Sequence, residues 1–84
     1  MRPGEHLNSG YEAREAQLRD RILEQLARHG QLDATKIGVV VRRSQILLWG
    51  SVASEFERTL AGEIAAKSGD KLHVINHIHV FQTH

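Results

Sequence analysis

The chain lacks several features on which whole classes of protein depend. Its 84 residues include no cysteine, one proline, one tryptophan, one tyrosine and two phenylalanines. Without cysteine there are no disulfides and there is no thiolate chemistry. The apolar runs are all far shorter than the ~20 residues of a membrane-spanning helix, and residues 1–10 contain no apolar segment of a secretory signal. We therefore expect a cytoplasmic location if the chain is complete, and a periplasmic or envelope location if it was cut from a precursor.

Charge and motifs exclude further classes. The formal net charge is +1, which is no footprint of a nucleic-acid-binding protein. Protonation of all six histidines would raise that charge to +7, so attraction to anionic surfaces is expected to grow on mild acidification. The sequence has no metalloprotease HExxH motif, no nucleophile elbow and no phosphate-binding loop. We expect a protein that is not an enzyme and needs no cofactor.

The stretch from Ile46 to Ala66 organises the rest of the chain. Residues 46–52 are rich in branched and aromatic side chains and predict a strand, in which Gly50 indicates a bulge or a close approach by another backbone. Ser54 and Glu57 have the spacing of a capping box, which predicts a helix start. In the helix that follows, Phe56 and four other apolar residues recur at helical spacing and are expected to face the core, and Gly69 is expected to end the helix in the left-handed conformation.

Other segments complete an α-β-β-α-β order. A first helix is expected from about Tyr11 or Glu12, with a second capping box at Ser9, and is expected to end at His29. Residues 37–42 and 71–82 alternate as strands. One α+β domain over residues 11–84 is predicted, with two helices on one face of a three-stranded sheet and a flexible tail over residues 1–10. The strand order is left open.

A set of apolar, glycine and helix-start positions recurs in a spacing typical of one family: Leu18, Ile22, Leu26, Ile37, Val39, Val41, Ile46, Leu48, Gly50, Val52, Ser54, Glu57, Arg58, Ala61, Ile64, Ala65, Val74, Asn76, Ile78 and Val80. These patterns together resemble the BON domain, a bacterial module of osmotically induced periplasmic proteins, nodulation proteins, secretins and some channels. The resemblance implies a non-catalytic domain that attaches to membranes, phospholipid or other proteins. One branch of that family binds potassium, but no ion ligands can be transferred to this chain. Two loops depart from the family pattern, since Arg43-Ser44-Gln45 replaces a glycine-containing hairpin and residues 68–72 replace a Gly-Val pair.

Strand alternation leaves one face of the predicted sheet without a covering helix. An uncovered apolar patch usually marks an interface, and tryptophan is enriched in binding hot spots. The alternatives are that the tail or Tyr11 folds over this face, or that a bulge at Gly50 breaks the alternation. The edge strands offer a second route to assembly. The candidate interface residues are Val40, Leu47, Trp49, Ile75 and Phe81.

Two polar groups are weaker candidates. His77 and His79 lie about 6.6 Å apart along a strand, but a zinc site would need a third ligand, so they are weak metal candidates. Lys36, Arg42 and Arg43 are a candidate basic cluster for phosphate or anionic lipid, although charged residues at turns are more often simply solvated. A KH-type RNA-binding domain shares the element order but requires a Gly-x-x-Gly clamp, which this chain lacks.

Three functional hypotheses follow. The first is an assembly module that binds a protein partner or itself through the open sheet face. The second is a peripheral module that binds anionic phospholipid through its aromatic, basic and histidine side chains. The third is a small-ion or metal sensor that uses His77 and His79.

Overall fold

The computed structural model describes the backbone of residues 3–69 and 72–81, and the side chains of residues 13–69 and 72–81. The elements are helix α1 (Pro3–Arg28), a single 3-10 turn (Ala34–Lys36), strands β1 (Ile37–Arg42) and β2 (Gln45–Val52), helix α2 (Glu55–Gly69) and strand β3 (His73–Val80). This is the predicted α-β-β-α-β order. The predicted ends of the last strand, Lys71 and Gln82, lie outside the described residues.

Helix α1 begins well before its predicted start. The segment 3–10, which was expected to be a tail, is helical, and the chain passes Ser9 without a helix start there. Pro3 occupies the first helical position, where its fixed φ is suited to the helix and its missing N–H costs nothing. The glycines of this segment each oppose helix formation by only about 1 kcal/mol, so reading them as a boundary was wrong.

The sheet has the order β1-β2-β3, which the sequence left open. β1 and β2 form an antiparallel hairpin, and β2 and β3 are parallel because α2 carries the chain back across the sheet. Both helices pack on the same face of this mixed sheet, and the fold-class prediction is confirmed. No helix in the described part of the chain is both long and apolar enough to cross a lipid bilayer.

The core lies between that sheet face and the two helices. It draws on one stripe of α1, one stripe of α2 and alternate residues of all three strands, as strand and helix periodicity require. In the described residues no polar or charged residue is buried in it. The buried apolar residues are Ile22, Leu26, Ile37, Val39, Val41, Ile46, Leu48, Val52, Ala61, Ala65 and Ile78.

Helix α2 starts as the sequence predicts. The Glu57 amide donates to Ser54 Oγ over 3.2 Å, and the Ser54 hydroxyl donates to Glu57 Oε1 over 3.3 Å. The end of the helix differs, because Gly69 is buried in the last turn and is not among the residues with positive φ. A Cβ at this position would overlap the Ile46 side chain, so Gly69 is a packing residue rather than a left-handed cap.

The β1–β2 turn uses two residues in a conformation that disfavours side chains. Arg43 and Ser44 have φ of 49° and 66°, as a two-residue type I′ turn requires of both central residues. The Arg43 amide donates to Glu15 Oε2 over 3.1 Å, and the His73 amide donates to the Ser44 carbonyl over 3.2 Å. These bonds from α1 and β3 hold a turn whose own residues do not favour it.

Gly50 permits a close backbone contact in the middle of β2. Its φ is +121°, and a Cβ there would overlap the carbonyl oxygen of Lys36. Of the two roles predicted for Gly50, the close approach is present. The bulge is absent, since the register of β2 with β1 is constant up to their last pair, Ile37 and Gly50, and the register of β2 with β3 continues past Gly50 without a shift.

Asn76 ties α2 to β3. Its Nδ2 donates to the Arg58 carbonyl over 2.9 Å, and its Oδ1 accepts from the Ile78 amide over 3.1 Å. A Cβ on Gly62 would come within 2.8 Å of that Nδ2, so the small residue in the helix makes room for the amide. Asn76 thus satisfies a helix carbonyl and an amide of an edge strand at once.

Replacing Gly50 with alanine is expected to lower the free energy of unfolding by about 2–4 kcal/mol, because the side chain meets both an unfavourable φ and a backbone carbonyl. Urea denaturation followed by circular dichroism measures the effect. Gly30→Ala is the matched control, since a Cβ there has no atom within 4 Å. An equal loss in both variants would contradict the argument.

Replacing Arg43 with asparagine and Ser44 with glycine is expected to raise the free energy of unfolding by about 1 kcal/mol. Asparagine and glycine tolerate the left-handed conformation of a type I′ turn, which costs other residues roughly 1–2 kcal/mol each. The midpoint of thermal unfolding should rise by several degrees. An unchanged or lower midpoint would show that the Glu15 and His73 contacts fully offset the strain.

Candidate binding face

The sheet face opposite the helices is defined by the register of three strands. We call it the open face. In it, Gly38, Trp49 and His77 form one cross-strand row, and Val40, Leu47 and Ile75 form the next. Its full set is Gly38, Val40 and Arg42 from β1; Gln45, Leu47, Trp49 and Ser51 from β2; and His73, Ile75, His77 and His79 from β3.

Three of the predicted interface residues form a continuous apolar row. Val40, Leu47 and Ile75 are direct neighbours across β1, β2 and β3, and each is half-buried. Neighbouring strands lie about 4.8 Å apart, so the row crosses the sheet without a gap. No helix of the described chain covers this side.

Trp49 lies beside this row and folds across β1. It is 54% exposed, although its indole sits over its cross-strand partner Gly38 closely enough that a Cβ on Gly38 would overlap the ring. The absence of a side chain at Gly38 therefore leaves room for the indole. This contact holds the indole against β1 while about half of the Trp49 residue surface stays exposed.

Phe81 lies apart from the other four predicted residues. It follows β3, is 51% exposed, and its amide donates to the Val52 carbonyl over 2.7 Å. Four residues of strand, about 13 Å, separate it from the row of Trp49 and His77. Phe81 instead lines a cavity of about 300 Å³ at the end of the sheet, which Lys36 and Ser51 also line. The structure therefore brings four of the five residues together and leaves the fifth at the rim.

The predicted basic cluster does not form. Lys36 precedes β1, whereas Arg42 ends it and Arg43 lies in the turn beyond. A strand of this length separates Lys36 from Arg42 by about 20 Å. The prediction was wrong because it assumed that residues near in sequence are also near in space. An extended strand instead places its two ends far apart.

At the Lys36 end, Asp33 caps the 3-10 turn. Its carboxylate accepts from the Thr35 hydroxyl and from the Thr35 amide, the latter over 3.2 Å. The hydrogen bond from the Thr35 hydroxyl is the largest cause that lowers the pKa of Asp33 below its ordinary value, and the charge of Lys36 lowers it further. Asp33 stays ionised beside Lys36 at neutral pH.

The three histidines of β3 share the open face and are exposed. His77 is the direct neighbour of Trp49, and His79 is the neighbour of Ser51. Among the described residues, no three histidine or carboxylate side chains are close enough to hold a metal ion. The geometry supplies no third ligand for His77 and His79.

The three strands contribute no carboxylate to this face, as its residues show. Its ionisable side chains are Arg42 and the three histidines. The face therefore carries the positive charge of Arg42 and no negative charge from its strands, around an apolar centre.

Helical periodicity predicted the wrong side of α2 for Phe56. It was expected in the core, yet it is 59% exposed on α2. The buried residues Ala61 and Ala65 lie five and nine positions further along, which at 100° per residue places them on the opposite side of the helix. The angle around the helix axis between Phe56 and these two alanines was therefore the signal in the sequence that Phe56 and the alanines face opposite ways.

Comparison with known families agrees with the sheet and helices described above. A family model for the BON domain matches residues 14–81. The chain belongs to the BON domain family. No curated protein matches the chain well enough to count as a relative. BON domains are commonly non-catalytic modules that bind lipid or protein.

Replacing Gly38 with alanine is expected to displace the Trp49 indole from its position over β1. The single tryptophan makes intrinsic fluorescence specific to this site, and its quenching by acrylamide should increase as the ring loses its contact with β1. Gly30→Ala again provides the control, and it should leave quenching unchanged. Unchanged quenching in the Gly38 variant would show that the indole does not rest on β1.

Proposed function

We propose that this BON domain is a binding module that attaches to another protein, a second copy of the chain included, through its open face. The observation that carries the proposal is the half-exposed Trp49 beside the row of Val40, Leu47 and Ile75. A tryptophan next to an apolar centre is the usual composition of a binding hot spot.

The shape of the face supports a protein partner. Two strand spacings, about 10 Å, separate the outer strands, and the apolar row runs the full width. The polar ends of the face, Arg42 at one end and His79 at the other, resemble the polar rim that surrounds the apolar centre of protein interfaces.

The second candidate function is binding to anionic phospholipid. The observation that favours it is the absence of carboxylates from the three strands of the open face, where Arg42 and the three histidines are the ionisable groups. Anionic headgroups attract such a surface, and the Trp49 ring suits the interface between headgroups and acyl chains.

Light scattering over a concentration series, together with Trp49 emission with and without vesicles of phosphatidylglycerol and phosphatidylcholine, separates these functions. Assembly that grows with concentration, accompanied by a blue shift of the emission, is the result expected from protein binding. A monomer whose emission shifts only with anionic vesicles would transfer the proposal to phospholipid.

Replacing Trp49 with alanine is expected to weaken association about 30-fold or more, since hot-spot residues contribute ≥ ~2 kcal/mol. Phe81→Ala is the matched control, because this aromatic side chain is similarly exposed but lies at the rim, and its effect should be several-fold at most. Thermal unfolding of both variants verifies the fold. Equal losses in the two variants would place the binding centre elsewhere.

A further inference from the structure

A second exposed aromatic side chain lies on the opposite side of the domain from the open face. Phe56 is on the surface of α2 that points away from the sheet, since Ala61 and Ala65 bury the other surface of this helix. Leu60 and Glu63 follow it at helical spacing, and Leu60 is half-buried. We call Phe56, Leu60 and Glu63 the α2 ridge.

Within the described side chains, each of the two layers therefore has an exposed aromatic residue on its outer surface. Trp49 marks the outside of the sheet layer and Phe56 the outside of the helix layer, at 54% and 59% exposure. Because the two layers pack back to back through the core, these sites point in opposite directions. One copy cannot bring its own open face and its own α2 ridge together.

Charge distinguishes the two ways in which copies can meet. Two open faces stacked on each other would bring Arg42, His73, His77 and His79 of one copy against the same groups of another, with no carboxylate from the strands to compensate. The Arg42 guanidinium groups of both copies would lie in an interface that holds no opposite charge from the strands, and uncompensated like charges in an interface oppose binding. The open face is therefore a poor partner for itself.

The α2 ridge supplies what the open face lacks. Glu63 lies exposed on it and Glu55 is exposed beside it. The helix also carries two cations: Arg58, whose guanidinium is 2.7 Å from the Glu55 carboxylate, and Lys67, which lies exposed in the last turn. Counting Glu57 as well, α2 has three carboxylates against two cations, and Phe56 offers an apolar anchor among them.

We propose that the partner of the open face is the α2 ridge of a second copy, so that copies associate head to tail with Trp49 against Phe56 and Leu60. The inference rests on the proposed protein-binding function and names its partner. Such an interface joins two different surfaces, so it leaves an unused open face at one end and an unused ridge at the other. Copies added in this way form a ring if the rotation closes and a filament if it does not.

Complementation between two variants tests this arrangement. Trp49→Ala removes the anchor of the open face, and Phe56→Ala removes the anchor of the ridge. Each variant alone is expected to remain monomeric at concentrations where the wild type assembles, with association at least tenfold weaker. An equimolar mixture should form a species of two chains and grow no further, because one intact open face meets one intact ridge and the remaining ends both lack an anchor.

Analytical ultracentrifugation measures the size of each species. Gln25→Ala, an exposed change on α1, is the control and should assemble as the wild type does. Circular dichroism melts of the two aromatic variants establish that each is folded before the mixture is interpreted.

Three outcomes would overturn the inference. If Phe56→Ala assembles normally while Trp49→Ala does not, copies meet through their open faces, and the proposed function survives without its head-to-tail partner. If the wild type stays monomeric and Trp49 does not respond to vesicles, a different protein is the partner. If the wild type stays monomeric and Trp49 responds to anionic vesicles, the inference and the protein-binding function both fail.

Discussion

The rest of the structure depends on strand β2 being paired on both sides. Its residues 45–50 pair with β1 in the antiparallel sense and residues 45–52 pair with β3 in the parallel sense, so most of the strand has a neighbour on both sides. Its helix-facing residues Ile46 and Leu48 are fully buried, and full burial of such side chains is worth about 1.5–3 kcal/mol each. The alternate residues Leu47 and Trp49 point the other way. One strand thus supplies both the centre of the core and the centre of the binding face.

Small residues determine how closely the surrounding elements approach that strand. Gly50 admits the Lys36 carbonyl, Gly69 admits the Ile46 side chain, and Gly38 admits the Trp49 indole. In each case a Cβ would overlap an atom of a neighbouring element. The position of Trp49, the candidate binding residue on β2, therefore depends on Gly38, a residue of β1 that has no side chain.

The two-layer architecture also determines what kinds of assembly are open to the domain. Helices cover one sheet face and leave the other, and the outer surface of α2 is in turn uncovered. An exposed aromatic residue on each of these surfaces gives the domain two directions in which to bind, whereas a single apolar surface would give only one. The unequal charge of the two surfaces favours contacts between unlike surfaces over contacts between like ones.

Much of this arrangement was decided by the sequence alone. Alternation in residues 37–42 and 46–52, the Ser54–Glu57 cap and the apolar stripes of the helices determine the elements and their order, because each pattern reflects local geometry. The same alternation assigned Val40, Leu47, Trp49 and Ile75 to one face. The short connection at Arg43 and Ser44 also predicted that β1 and β2 pair as a hairpin. Local patterns carry no information about which of these two strands lies beside β3, and the order β1-β2-β3 came only from the folded chain.

The tertiary structure alone decided the remainder. It separated Lys36 from Arg42, set Phe81 at the rim, turned Phe56 outward and extended α1 back to Pro3. In each case the sequence shows residue type and spacing along the chain, whereas the outcome depends on the direction of a side chain or the distance across a sheet. Those quantities are set by packing between elements distant in sequence, and they decide which exposed residues form a common surface.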